Sequence, residues 1–258
     1  MRQSISYLLV FIGIQLCAGG IVTVVWKQLT GSSDLTTTQV VVSTVTVSVL
    51  TIAVFLLTRW TLVSPRWLRT RPWSVLAWSV LAALGCVIPS VWLQEHIPEL
   101  PNWVESEFDM ILRNRWGYLA VGLLAPLSEE MVFRGAILRQ LLQSYAPWTA
   151  IAVSALLFAL VHFNPAQMPH AFVIGLLLGW MYWRTGSILP GVAFHWANNS
   201  VAYIIYNLFP DPDIRLIDVF KGSEPHVLLA VLFSLLILLP SLFQLHQRMR
   251  HAQSLNGD

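Results

Sequence analysis

Apolar residues gather in eight blocks along this chain, at roughly 6–26, 37–58, 73–93, 116–140, 148–163, 168–183, 188–208 and 226–244. A helix of about 20 apolar residues crosses a hydrocarbon core ~30 Å thick. The pattern therefore predicts an all-α, polytopic transmembrane helix bundle of about eight spans. The fifth and sixth blocks are short, and they reach across only when neighbouring helices thin the bilayer or hide their ends. The whole of 1–258 reads as a single integral membrane domain. Its N-terminal helices and an interfacial segment occupy 1–115, its core 116–208, and the last span and tail 209–258. The segment from Gln94 to Arg115 is too polar to span, and its Trp103, Phe108, Met110, Ile111 and Leu112 predict a helix lying on the membrane surface. The tail from Ala252 is expected to be disordered.

Composition makes lipid the solvent. Only 11% of the 258 residues are charged and 56% are hydrophobic, against about 25% charged in a soluble domain. So few charges cannot cover a water-exposed surface of this size. A net charge of +2, with no basic block and no aromatic–basic interleaving, excludes nucleic acid as a partner. With the N-terminus in the cytoplasm and the spans alternating, the cytoplasmic side holds Arg2, Arg59, Arg66, Arg69, Arg71, Arg139, Arg184, Arg248 and Arg250. The far side holds Lys27, Arg113, Arg115, Arg215 and Lys221. That bias satisfies the positive-inside rule and places both termini in the cytoplasm. Met1 to Trp26 opens as a signal peptide would, with Arg2 before an apolar run. The run is long, and no small-x-small cleavage site precedes a polar start, which favours a retained first helix. Cys17 and Cys86 lie inside apolar runs and read as small buried hydrophobes. Most of the tryptophans lie near span ends, as in an aromatic belt, Trp196 excepted.

Against this background a few residues stand out. An ionisable group at mid-membrane costs about 2.5–3.5 kcal/mol even on the gentlest scale. The fourth block carries Glu129, Glu130 and Arg134, the fifth His162, and the seventh His195, Asn198 and Asn199. Glu130 and Arg134 are four apart, share a helix face and can pair. Glu129 is rotated by ~100° from Glu130 and points elsewhere. Phe158 and His162 are four apart, as are His195 and Asn199; Asn198, three from His195, is nearly on the same face. A structural ion pair is the plain reading of Glu130 with Arg134, and a lone intramembrane histidine is often an interhelical contact. For the set as a whole a structural role is much weaker, and proton or ion transport is the serious competitor to catalysis. Gly175 and Gly179 form a small-x-x-x-small pattern that reads as packing, and His170 is placed at the interface.

Here the residues resemble a known family. Glu129-Glu130-x-x-x-Arg134 resembles the first signature of the CAAX-protease and bacteriocin-processing (CPBP) family, Phe158-x-x-x-His162 the second, and His195-x-x-x-Asn199 the third. Between them, Phe172-x-x-Gly175-x-x-x-Gly179-x-x-Tyr182-x-x-Thr185-Gly186-Ser187-Ile188-x-Pro190 resembles the family's approach to the third motif. The resemblance covers about Ala125 to Ser200; the first 115 residues and the last span match only in hydropathy. Three motifs in order, each on its own apolar block, are a specific signal.

The resemblance implies a helical membrane core with its site in a cavity, located in a bacterial inner (plasma) membrane. It implies an intramembrane endopeptidase acting on a membrane-associated protein or peptide, with membrane lipid as the other partner. The family includes proteases that trim prenylated CAAX proteins and bacterial members linked to bacteriocin processing and self-immunity. Carried over, Glu129 is the general base, His162 helps hold and activate the water, and His195 and Asn199 stabilise the oxyanion. Peptide hydrolysis needs that activated water and those donors. No cofactor is needed in this version. A metal version remains, with zinc held by Glu129, His162 and His195 and one position open. Neither a Ser-His-Asp constellation nor a His-Glu-x-x-His motif is present. A proton- or ion-coupled transporter, or a non-catalytic immunity or scaffold protein, is the alternative. One tension accompanies the count. At 1.5 Å per residue, Glu129 falls ~20 Å from the far side and His162 ~21 Å from the cytoplasmic side, depths that differ by ~10 Å in a ~30 Å core. Helix tilt or different helix starts must close the gap, and Pro126 is placed to kink the helix just before Glu129.

Overall fold

The computed structural model describes residues 2–32, 34–61, 73–209, 211 and 214–254. Among them the secondary structure is helical, with no strand. The helices are α1 (Arg2–Thr30), α2 (Thr37–Leu57), α3 (Trp73–His96), α4 (Glu105–Leu112), α5 (118–141), α6 (Pro147–Leu160), α7 (Met168–Thr185), α8 (Leu189–Leu208), α9 (Leu216–Val219) and α10 (Glu224–Ser254). Each of the eight apolar blocks has become a helix. Four of them, α1, α2, α3 and α10, are long and apolar enough to cross a membrane. The 14 residues of α6 reach about 21 Å at 1.5 Å per residue, so α6 is short for a span by itself.

The contacts divide the chain into two units, Met1–Val63 with Asn102–Gly179, and Ser64–Pro101 with Trp180–Asp258. In the first unit α1 lies along α2, both pack on α5, and α6 covers another side of α5. Phe11 meets Phe133 edge-on at 5.6 Å, and Phe133 meets Phe158 edge-on at 5.2 Å. Helix α7 approaches α6 at its glycines. A Cβ on Gly175 would come 3.0 Å from the Ala155 backbone, and one on Gly179 would come 2.9 Å from Ile151. In the second unit α10 and α8 pack along α3. Gly85 lets α10 come so near that a Cβ there would sit 2.7 Å from the Leu238 nitrogen. The outward sides of α1 and α10 are apolar: Leu9, Leu16, Ile21 and Leu29 on one, Leu228, Leu232, Phe233, Leu236 and Phe243 on the other, are all exposed. Such faces suit lipid and not water.

Three expectations change. The interfacial helix is only Glu105–Leu112, because α3 continues through Gln94 to His96 before the chain turns. The C-terminal helix runs on to Ser254, past the point at which disorder was expected, since no proline or glycine stops it. Cys86 is buried but Cys17 is exposed on α1, because an apolar run alone does not separate a lipid-facing position from a protein-facing one. Arg66, Arg69 and Arg71, which carry part of the positive-inside bias, lie outside the described residues, as does the side chain of Arg250.

Candidate functional site

Helix α5 carries the first motif and is unusual in its winding. It is π-wound over Tyr118–Leu124 and Met131–Leu138, and α-wound over Ala125–Glu130 and Arg139–Leu141. Pro126, which has no N–H to give the ladder, sits in the first turn of the α-wound stretch, where the winding changes. In the second π-wound stretch two carbonyls are taken up by hydroxyls from neighbouring segments. Thr61 Oγ1 donates to the Met131 carbonyl at 2.5 Å and Ser154 Oγ to that of Phe133 at 3.0 Å. π-Winding is concentrated at functional positions, and here it brackets Glu129 and Glu130 on both sides.

The two adjacent carboxylates are treated differently. Glu130 is 0% exposed and Arg134 1%. Arg134 Nη1 donates to Glu130 Oε1 at 2.8 Å, and Nη2 to the Gly175 carbonyl at 3.1 Å. The guanidinium also lies over the Phe158 ring, 4.5 Å from its centroid. One arginine thus ties α5 to α6 and α7 by charge, hydrogen bond and cation–π contact. Glu129, half-buried, instead borders a cavity of about 160 Å³ lined by Gln15, Ser43, Thr44, Val47, Ser48, Thr51, Ala125 and Ser128.

The second motif sits just beyond the end of α6. His162 Nδ1 is 2.7 Å from the Phe158 carbonyl, and its ring meets that of Phe158 edge-on at 5.0 Å. A carbonyl only accepts, so Nδ1 carries the proton and Nε2 of the neutral ring presents a lone pair. That Nε2 can accept a water proton or bind a metal. Glu130, Arg134, Phe158 and His162 form one run of contacts, so the counted difference in depth does not keep the two motifs apart. Wide π turns before Glu129 hold more residues per turn, so a count at 1.5 Å per residue overstates its depth. His162 is not among the residues lining the Glu129 cavity.

Two features of this region escaped the sequence reading. Phe163 takes φ +48°, in the left-handed region, and turns the chain sharply after His162. Asn164 is then fully buried: its Oδ1 accepts the Trp103 N–H at 3.0 Å, and its Nδ2 donates to Asn102 Oδ1 at 2.8 Å. Asn164 therefore pins the turn that carries His162 to the segment before α4. Asn164→Ala removes both bonds while leaving their exposed partners to water, and a loss of about 0.5–1.5 kcal/mol per bond is expected. The midpoint of thermal unfolding in detergent reads it. The second feature is the hydroxyl face of α2. Thr44, Ser48 and Thr51 follow i, i+4, i+7 spacing, a one-face signal present in the sequence but passed over because hydroxyls are cheap in apolar helices.

The third motif lies in the second unit. The Thr185–Ser187 turn leads into α8: Gly186 takes φ +64°, which a glycine adopts without strain. Thr185 Oγ1 donates to the Met181 carbonyl at 2.7 Å and accepts the Ser187 N–H at 3.2 Å. Pro190 sits in the first turn of α8, where its missing N–H costs nothing. One to three turns on, His195 is buried, Asn199 is half-buried, and Asn198 Nδ2 donates to Asn199 Oδ1 at 3.4 Å. Among the described residues no three His, Cys, Asp or Glu side chains stand together as a metal-binding group. The set Glu129, His162 and His195 is divided between the two units.

Residues 112–201 match the protein family described as type II CAAX prenyl endopeptidase Rce1-like. The chain is also similar to the UPF0177 protein YxdF of Lactococcus lactis subsp. lactis (strain IL1403), 30% identical over 108 residues, or 41% of this chain. The matched part is 54% of that relative, so the chain spans about half the length of the curated protein it matches. No solved structure matches significantly. The matched stretch contains all three motifs.

Proposed function

We propose that this chain, whose segment 112–201 belongs to the CAAX-protease and bacteriocin-processing family of membrane proteases, is an intramembrane endopeptidase. Its substrate is a membrane-associated protein or peptide. The observation that carries the reading is the division of labour between adjacent carboxylates: Glu130 is held in a buried ion pair at 2.8 Å, while Glu129 borders a polar cavity. In the proposed reaction Glu129 takes a proton from water as that water attacks the scissile carbonyl. His162, through Nε2, orients the water. His195 and Asn199 donate to the oxygen on which negative charge develops. Glu129 then returns the proton to the leaving amine.

Purified protein in detergent micelles tests this, because no gradient exists there. Cleavage of a membrane-protein or precursor peptide should persist, and should vanish in Glu129→Gln. Gradient-driven flux from reconstituted vesicles with no peptide cut would replace the protease by a transporter.

Orientation follows from the arginine bias. Both termini are placed in the cytoplasm of a bacterial inner membrane, with eight crossings. Reporter fusions after Arg71 and after Arg250 should both report cytoplasm; a far-side signal at either point overturns the count.

A further inference from the structure

The cavity beside Glu129 has a second wall that the family match does not cover. Gln15 comes from α1, and Ser43, Thr44, Ser48 and Thr51 from α2. All five precede residue 112. Their chemistry is polar, with donors and acceptors both present: the Gln15 amide and the Ser43 and Ser48 hydroxyls keep protons to give. Thr44 and Thr51 spend their hydroxyl protons on the Val40 and Val47 carbonyls at 2.9 and 2.8 Å, and Ser128 spends its proton on Ala125 at 3.0 Å. Those hydroxyls have only lone pairs left to offer, and their residues line the cavity with Glu129. Ser48 is 5% exposed, lines the cavity, and has no hydrogen-bond partner among the described residues. Its oxygen is not sealed inside the protein but opens on the cavity. Water suits such a lining, because it brings donors to Thr44, Thr51 and Ser128 and an acceptor to Gln15, Ser43 and Ser48. The cavity, about 160 Å³, has room for several molecules at ~30 Å³ each.

We infer that the α1–α2 hydroxyl wall, centred on Ser48 and Thr51, is a hydrated compartment from which the hydrolytic water reaches Glu129. Its hydration stands on the geometry alone; its part in catalysis rests on the protease reading. Ser48 and Thr51 are then positioning residues, acting through the water they hold.

Thiol labelling in native membranes tests the hydration. Replacing Cys17 and Cys86 by alanine gives a background without cysteine, into which Ser48→Cys and Thr44→Cys are placed singly, nearly isosteric with what they replace. Val49→Cys and Leu50→Cys are the comparison, being exposed on the outward side of the same helix. A thiol reacts as thiolate, which forms in water and not in lipid. A small charged maleimide should label positions 44 and 48 at least ~10-fold faster than 49 and 50. Equal rates would overturn the compartment. So would protection of Ser48→Cys by sodium but not by choline, which would assign the acceptors to a cation. If removing the native cysteines lowers yield, Cys17→Ala alone serves, since Cys86 is buried and in the other unit.

The catalytic arm uses Ser48→Ala and Thr51→Val, with Thr51→Ser as the conservative control. A fall in kcat with KM unchanged, restored in Thr51→Ser, supports water supply. Fast labelling with kcat untouched would overturn that part. If wild-type protein cuts nothing, the protease reading fails, while the labelling contrast still decides the hydration.

Discussion

Arg134→Ala is expected to cost about 3–5 kcal/mol of stability, enough to remove most folded protein from the membrane. The argument is one of partners. The Arg134 side chain is 1% exposed and serves three groups at once: the Glu130 carboxylate at 2.8 Å, the Gly175 carbonyl at 3.1 Å and the Phe158 ring. Its removal leaves a carboxylate buried at 0% exposure beside no cation, and unties α5 from α6 and α7 together. Glu130→Ala should be comparably severe, for the mirror reason. Losing both charges should be milder than losing either, because a fully apolar pair leaves no charge stranded. Glu130→Leu with Arg134→Met, of similar volume, should therefore recover folded yield relative to the single changes. Monodisperse protein recovered after detergent extraction, followed by a thermal melt, measures it. A double variant as poorly folded as the singles would show that the contact to Gly175, not the ion pair, holds the bundle.

That pair was legible from i, i+4 spacing, as was the existence of every long helix, because a 20-residue apolar block has few other ways to satisfy its backbone in lipid. Gly175 and Gly179 were readable as a packing face for the same reason: only a missing Cβ permits so close an approach. What the sequence concealed was of three kinds. The π-winding of α5 has no residue signature beyond Pro126, and the hydroxyls that take up two of its carbonyls, those of Thr61 and Ser154, come from distant parts of the chain. Asn164, between two apolar blocks, carried no signal of its own, because a buried side-chain amide is betrayed only by its distant partners, Asn102 and Trp103. Helices α3 and α10 run on through polar residues to His96 and Ser254, so hydropathy ended those helices too early. The candidate residues themselves were found because charge and imidazole are expensive in apolar blocks, whereas Ser48 and Thr51 were not, being cheap there.

The roles within the site separate by the size and kind of loss. In the glutamate mechanism, Glu129→Gln removes the base and His162→Ala removes the group that orients water, so both should abolish turnover with folded yield unchanged. Asn199→Ala should lower kcat by on the order of 10²–10³, the usual cost of one oxyanion donor. Asn198→Ala should be much milder: Asn198 donates to Asn199 at 3.4 Å, so its loss relaxes the orientation of that donor without deleting it. A zinc enzyme would order these changes differently. His162 presents Nε2 with its proton fixed on Nδ1 by the Phe158 carbonyl at 2.7 Å, an arrangement that serves a water proton and a metal equally well. Geometry at this one ring therefore does not choose between the two, and composition of the active protein does. Metal content by mass spectrometry on cleaving, purified protein, before and after a strong chelator, is the measurement. The glutamate assignment predicts full activity in protein stripped of metal, together with the 10²–10³ loss in Asn199→Ala. Stoichiometric zinc that leaves with His162→Ala or His195→Ala, and whose removal and return stop and restart the wild type, would sink it.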